Sequence, residues 1–538
     1  MRRLQTFKLL AATAIVGLLV AACSSDGAGS PRPADAGDGT NTTTEAALPT
    51  EVALPTLTIA TSFAIGDLVP LDNSFWGPEF GYVELLMRPE RDGIPSPWVL
   101  QDLTSVDDTT WELTLRDNVM FENGKRFDAQ ALVDLIIFCN DNNVSLAAAL
   151  QLDSVEITGE STVTLTTTAP VPGLPNVFAD ESQIPVFDVS AYQAHVDSGA
   201  DASALLDAGI YTGPYVMTSL DETKAELAPI ADYWDGTPAL SALTIKFVPE
   251  TTSRVQAVQA GEADIALYMP TFIATTLKGR ADAFYVTGEP TGTTFGVQLR
   301  NAGPYADVHV RRALFAAIDY RALAEGVLDG QAAIASSVFG PSFPFAIDTQ
   351  VTDLDLANEL LDRAGWVPGG GGIRTKDGEQ LKLRLLSYPQ QPDSGTIAIA
   401  LQSQFDAIGV SVAVTEVPDL TEARRGDDWD AAIVGASLLS FSLSPEDGLR
   451  SALVTGGSQN FMGVSNADLD ELVATLSTTF GQDERNALLV QIQQVIHDNG
   501  LWAATIMRQP AVVSSAAWRG YKIPLANMWV DARTAPSS

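Results

Sequence analysis

Residues 396–417 read TIAIALQSQFDAIGVSVAVTEV. Apolar residues at helical spacing run up to Gly409, and alternating ones follow it. Helix, glycine stop and strand make an αβ unit, the kind that builds mixed sheets. The same grammar recurs on both sides. LSALTIKFVP (240–249) reads as a strand, and ETTSRVQAVQAG after it as a helix that Gly261 closes. ADVHVRRALFAAID (306–319) has an acidic start at Asp307, and DLDLANELLDRAGW (353–366) is acidic first, amphipathic and stopped at Gly365. PTLTIATSF (55–63), WELTLRDNVMF (111–121) and STVTLTTT (161–168) are strand signals. Asp377-Gly378, between alternating stretches, predicts a hairpin turn. Repeated αβ units in both halves predict two α/β lobes, and no internal sequence repeat is evident.

About 480 residues follow position 55, enough for two or three domains with real cores. Hydrophobic residues make up 46%, so the body is globular. Net charge is −36, which repels phosphate backbones and makes nucleic acid an unsuitable partner. The acids are spread along the chain, as on a solvated surface that favours solubility.

The N-terminus carries Arg2, Arg3 and Lys8, then an apolar run from Leu9 to Ala22 broken only by Thr13. That run is too short to cross about 30 Å of hydrocarbon and fits a secretory signal, residues 1–22. Val20-Ala21-Ala22-Cys23 resembles the lipobox of bacterial lipoproteins. The resemblance implies cleavage before Cys23 and lipid attachment at its thiol. Residues 24–55 hold no aromatic residue and are rich in Gly, Ser, Thr, Ala, Asp and Pro, so 23–55 reads as an acylated flexible tether. Cys139, the other of two cysteines, sits in an apolar run and reads as a core residue, with no internal disulfide expected.

Several chemistries lack their signatures. His195, His309 and His497 are far apart, without metal-ligand spacing. No nucleophile elbow, phosphate loop or dinucleotide fingerprint occurs. Paired carboxylates for a hydrolase stay open in so acidic a chain. The expectation is a binding protein without cofactor, not an enzyme.

Five blocks then carry a family resemblance. WELTLRDNVMFENGKRFDAQALV (111–133) places Trp111, Leu115, Arg116, Val119, Phe121, Gly124, Phe127 and Ala129 in register with a family signature. YTGPYVM (211–217) and ADYWDGTPALSALTIKFVPETTSRVQAVQAGEADIA (231–266) follow. PYADVHVRRALFAAIDYRAL (304–323), ANELLDRAGW and QNFMGVSNADLDELV (459–473) complete the set. In this order they resemble the extracytoplasmic solute-binding proteins of family 5, the dipeptide/oligopeptide-binding type. Trp111 and Phe121 read as core, Gly124 and Gly213 as turns, and Trp234 as packed beside Tyr233.

The resemblance implies a two-lobed α/β fold of the type II periplasmic-binding-protein kind, with mixed sheets joined by a hinge and an extra inserted domain. Segments 56–85, 206–270 and 505–538 would form the base domain of lobe one, 86–205 the inserted domain, and 271–504 lobe two. It also implies a monomer, lipid-anchored on the outer face of the cytoplasmic membrane. There it would bind a small peptide or other small polar solute and deliver it to an ABC permease and its ATPase. An alternative is an envelope lipoprotein that uses the scaffold for regulation or protein interaction.

One part of the pattern breaks. Peptide-binding members carry an acid after the strand near Trp429 that meets the peptide amine. Here no acid stands between Asp430 and Glu446. A buried ammonium without a counter-charge is costly. Either Glu446 or Asp447 takes the role, or the ligand lacks that amine. By position, NSFWG (73–77), LYMP (267–270), SYPQQPD (387–393), SFSLSP (440–445) and QNF (459–461) should face the cleft. They offer Trp76, Tyr268, Tyr388, Gln390, Phe441 and Asn460 as stacking faces and neutral hydrogen-bonding groups.

Overall fold

A computed structural model describes residues 54–72, 75–290, 293–389, 391–435, 438–439, 444–524 and 528–536. The opening stretch folds as read. Helix Pro392–Asp406 begins a few residues early, Gly409 turns the chain at φ +83°, and strand Ser411–Glu416 follows. That strand lies parallel to Lys382–Ser387, the strand entering the helix. The unit is thus a βαβ crossover, the connection a parallel pair requires.

Two mixed sheets organise the molecule. The first has seven strands, in the order Phe284–Thr287, Ala511–Ser514, Ile265–Ala266, Thr56–Thr61, Ala242–Phe247, Lys224–Pro229 and Tyr215–Leu220. Its centre is parallel, with Thr56–Thr61 flanked by Ala242–Phe247 and Ile265–Ala266. The second has six, in the order Ala332–Ile334, Ala503–Arg508, Thr294–Leu299, Ala431–Val434, Lys382–Ser387 and Ser411–Glu416. Helix starts match the acidic signals. Asp307 accepts from the amide of His309, and Asp353 from that of Leu356. Each satisfies an otherwise orphaned donor in the first turn.

A four-stranded antiparallel sheet lies within the stretch expected as the inserted domain. Its order is Leu100–Ser105, Thr110–Leu115, Thr162–Thr167 and Leu152–Ile157. One face of Thr162–Thr167 is buried and the other half-open, the pattern alternation predicts. Helix Ala129–Asn142 joins this core through Leu132, Leu135, Ile136 and the buried thiol of Cys139. The strand read over 111–121 is shorter, ending at Leu115 before a turn at Asp117 and Asn118. Trp111 and Phe121 are core residues. At Gly213 a Cβ would stand 2.5 Å from the Tyr82 carbonyl carbon, so close backbone approach demands glycine there.

The chain passes between the two main sheets twice. It leaves the first after Phe284–Thr287 and enters the second at Thr294–Leu299. It returns from Ala503–Arg508 through Gln509 and Pro510 to Ala511–Ser514. The boundaries expected at 270 and 504 thus shift to 288–293 and 509–510, because Phe284–Thr287 pairs with Ala511–Ser514 in the first sheet. The crossings run side by side. Gly288 donates its amide to Pro510 O at 2.8 Å, and Arg508 donates its own to Thr293 O at 2.9 Å. A narrow paired ribbon between two cored lobes is the geometry of a hinge.

Candidate ligand-binding cleft

The lobe-one wall is aromatic over acid. Trp76 starts the buried helix Trp76–Phe80. Tyr268 follows strand Ile265–Ala266 and takes φ +55°, a region unusual for a residue with a Cβ. Buried Arg254 supports that turn. It donates to the carbonyls of Val248 at 2.8 Å, Pro249 at 2.6 Å and Tyr268 at 3.4 Å. Tyr268 OH in turn donates to Glu79 Oε2 at 3.0 Å. Phe63, half exposed, meets Tyr268 edge-on at 5.1 Å and Trp76 at 5.6 Å. Behind these rings Glu79, Asp180 and Glu181 are all at least 95% buried, a costly grouping of like charge. Burial first, then Glu79 and Asp180, pushes the Glu181 carboxyl well above the usual carboxylate range.

The opposite wall is built where the second sheet meets the hinge. Arg508 ends its strand, and its guanidinium lies over the Phe295 ring at 5.4 Å. Among the described residues it makes no side-chain hydrogen bond or ion pair. Burial pulls it below the usual arginine value, opposed chiefly by Asp393 and then by Tyr388, Tyr285 and Tyr268. Tyr388 is oriented by its phenol oxygen, which accepts from the Gly435 amide at 3.0 Å. Asp393 accepts from Thr271 Oγ1 at 2.8 Å, a bond that joins the two lobes. Trp111 and Phe480 also meet across them, with ring centroids 6.0 Å apart.

Of the residues nominated from sequence, Trp76 and Tyr268 come together through Phe63, and Tyr388 stands near Arg508. Asn460 is a correction. Its amide donates to Val454 O at 3.0 Å and Val464 O at 2.8 Å and accepts from Val464 N at 2.9 Å. It is consumed in bracing its own loop. Gln390, Phe441 and Cys23 lie outside the described residues. Glu446 pairs with Arg485 at 3.1 Å and Asp447 with Arg450, so both acids proposed to meet an amine are already matched. Sequence reasoning missed Glu79, Glu181, Asp393 and Arg508. Arg508 had one signal, a lone cation closing an apolar strand just before Pro510. Among the described residues, no group of three His, Cys, Asp or Glu side chains is placed to hold a metal ion. Nor, among them, is any helix long and apolar enough to cross a membrane.

Known proteins share this architecture. Residues 95–460 match the model of the bacterial extracellular solute-binding proteins, family 5 (middle region). The nickel-binding periplasmic protein of Escherichia coli strain K12 is 26% identical over 441 residues, covering 78% of this chain and 82% of that protein. The glutathione-binding protein GsiB of Salmonella typhi is 25% identical over 432 residues, covering 78% and 81%. In fold, the crystal structure of NikA from Brucella suis in complex with Fe(III)-EDTA matches with a TM-score of 0.78 at 22% identity, over 90% of this chain and 100% of that one. The chain belongs to family 5 of the bacterial extracellular solute-binding proteins, the receptors of ABC importers, which bind their solutes and are not enzymes.

Proposed function

We propose that this chain is a lipid-anchored importer receptor that closes on a small peptide or another small polar solute. Cys23 would hold it to the outer face of the cytoplasmic membrane, and the closed form would be read by a permease and its ATPase. The observation that carries the reading is the paired crossing at 288–293 and 509–510, with side chains from both lobes gathered beside it. Hinge closure there buries a small ligand between the walls. The named relatives span nickel and glutathione. In this chain the aromatic rings, phenols and unpaired guanidinium beside the hinge favour an organic solute.

Small-angle scattering of the purified protein against a broad peptide and metabolite panel tests this. At least one compound should compact the molecule with saturable affinity. No compaction with any of them, together with a co-purifying envelope protein, would replace the transport reading with a regulatory one.

A further inference from the structure

A cavity separate from the cleft lies inside lobe two. Helices Val308–Ala316, Leu354–Arg363 and Gln482–Asp498 enclose it, with segment 349–353 and the start of strand Ala503–Arg508. Its residues come at helical spacing, Arg312, Phe315 and Ala316 from one helix and Leu356 and Leu360 from the next. Ala503 lines it, whereas Arg508 at the hinge is five residues on, about 17 Å away along the strand. The cavity measures about 230 Å³. Close-packed interiors leave few voids larger than a water molecule, and each one forfeits contacts. An apolar cavity of about 150 Å³ already holds benzene. The walls here are Phe315, Val338, Leu356, Leu360, Ile496 and Trp502, so the space suits a ring or a short aliphatic chain.

Two polar side chains define the head group this space would take. Arg312 and His497 both line it. Arg311 brings them together, donating to Asn499 O at 2.7 Å and Gly500 O at 3.1 Å and so clamping the end of helix Gln482–Asp498 against helix Val308–Ala316. Among the described residues, Arg312 is the one arginine with no hydrogen bond, ion pair or aromatic ring to meet. Acids outnumber Lys and Arg by 67 to 31 in this chain, so a half-buried cation left unmatched is an exception. The half-buried ring of His497 also makes no hydrogen bond among the described residues. Burial first, then the charge of Arg312, holds it below the usual histidine range, against Asp498. It is therefore a neutral N–H donor beside a cation. Three other polar side chains of the lining are occupied. Gln350 bonds Ala335 O at 3.1 Å and both backbone groups of Ala504, and Tyr320 OH donates to Phe315 O at 3.0 Å. Asp353, the acid of the lining, accepts from the Leu356 amide at 2.8 Å and forms no ion pair with Arg312.

We propose that this cavity is a second binding site, for a small amphipathic monocarboxylate whose carboxylate meets Arg312 and the His497 N–H while its aryl or short alkyl tail packs against Phe315, Leu360 and Trp502. The carboxylate supplies the counter-charge and acceptors that Arg312 lacks, and the tail fills the void. The site goes beyond the receptor reading and stands whatever solute the hinge closes on.

The test uses the full chain in phosphatidylcholine nanodiscs, with calorimetry against empty discs. The probes are phenylacetate and octanoate, with phenylacetamide and phenethylamine as the neutral and cationic matches. At least one acid should bind saturably below about 10 mM, and neither match should. Arg312→Gln should weaken that acid about tenfold or more, through loss of a charge-assisted hydrogen bond. The side chain of Arg312 holds no other group, so this variant should melt like wild type, and its effect on affinity is then not one of unfolding. Ala316→Leu puts a larger side chain into the cavity and should abolish binding. Failure of both acids to bind, a neutral or cationic match that binds as tightly, or an acid indifferent to either substitution overturns the proposal.

Discussion

Glu446→Gln separates a structural acid from a ligand-binding one. Glu446 lies in the first turn of helix Pro445–Ala452 and meets Arg485 at 3.1 Å, with both side chains about nine-tenths buried. Breaking such a pair from one side costs about 3–5 kcal/mol, mostly for the charge left behind. Arg485 keeps two acceptors, Leu476 O at 2.9 Å and Thr479 O at 3.0 Å, and the glutamine oxygen can still accept. Those bonds offset about 1 kcal/mol, leaving about 2–4 kcal/mol. Unfolding entropy is about 2 cal/mol/K per residue, so Ala53–Ser538 loses about 1 kcal/mol per degree near its midpoint. Calorimetry should therefore show Tm lower by about 2–4 °C. Ligand affinity and the preference for free over blocked amines should be unchanged. A variant that melts like wild type but no longer distinguishes those ligands would place Glu446 against the solute and refute the assignment.

Thr271→Val removes the hydroxyl that joins the lobes at Asp393. A hydrogen bond to a charged group contributes about 1.5–3 kcal/mol, so the ligand-free radius of gyration should rise and affinity fall about tenfold. Unchanged scattering and affinity would remove this contact from closure. Glu84 is fully buried, and burial raises its carboxyl to about 7, against the hydrogen bonds from Tyr233 and Trp234. The folded state then holds more protons than the unfolded one between pH 4.5 and 7. Stability from this group is full below that window and declines as pH rises through it. Glu84→Gln should flatten a pH series of denaturant midpoints, and an unaltered slope would assign the dependence elsewhere. Cys23→Ser should release the protein from membranes while leaving solute affinity intact, and altered affinity would mean that anchor and cleft are not separate.

Local rules made most of the scaffold legible. Gly409 stops a helix because only a positive φ turns the chain there, and Asp307 and Asp353 cap helices through their own neighbours. Both features lie within a few residues of sequence. The lobe boundary was not readable in this way. Phe284–Thr287 is a short strand whose partner, Ala511–Ser514, lies at the far end of the chain, and only that pairing assigns it to lobe one. The cleft divides similarly. Trp76 and Tyr268 stood out by position, after the first strand and after the hinge-region strand, and the structure brings both against Phe63. Arg508 looked like an exposed strand end. Its meaning depends on what fails to reach it, which no local pattern encodes. Asn460 misled because asparagine in a loop serves ligand and backbone equally well, and here the backbone used all of it.

The unpaired guanidinium beside the hinge bears on how binding couples to closure. A ligand shifts an equilibrium only by the difference in its affinity for the two states. One that touched lobe one alone would bind open and closed forms alike and signal nothing to a permease. Arg508 sits at the root of the hinge on the second sheet, whereas Phe63, Trp76 and Tyr268 belong to lobe one. A solute that touches both walls completes its contacts only when the lobes meet. The unliganded form carries a matching penalty, because Arg508 lies partly buried beside the hinge with no side-chain ion pair among the described residues. The bond from Thr271 to Asp393 and the packing of Trp111 on Phe480 oppose that penalty but do not cancel charge. Relieving the penalty with Arg508→Gln should therefore raise the closed fraction of the empty receptor while weakening its ligand. These two effects of opposite sign can be read in one scattering titration. If the empty variant instead opened further, Arg508 would be holding the lobes together, and its assignment to the solute would fall.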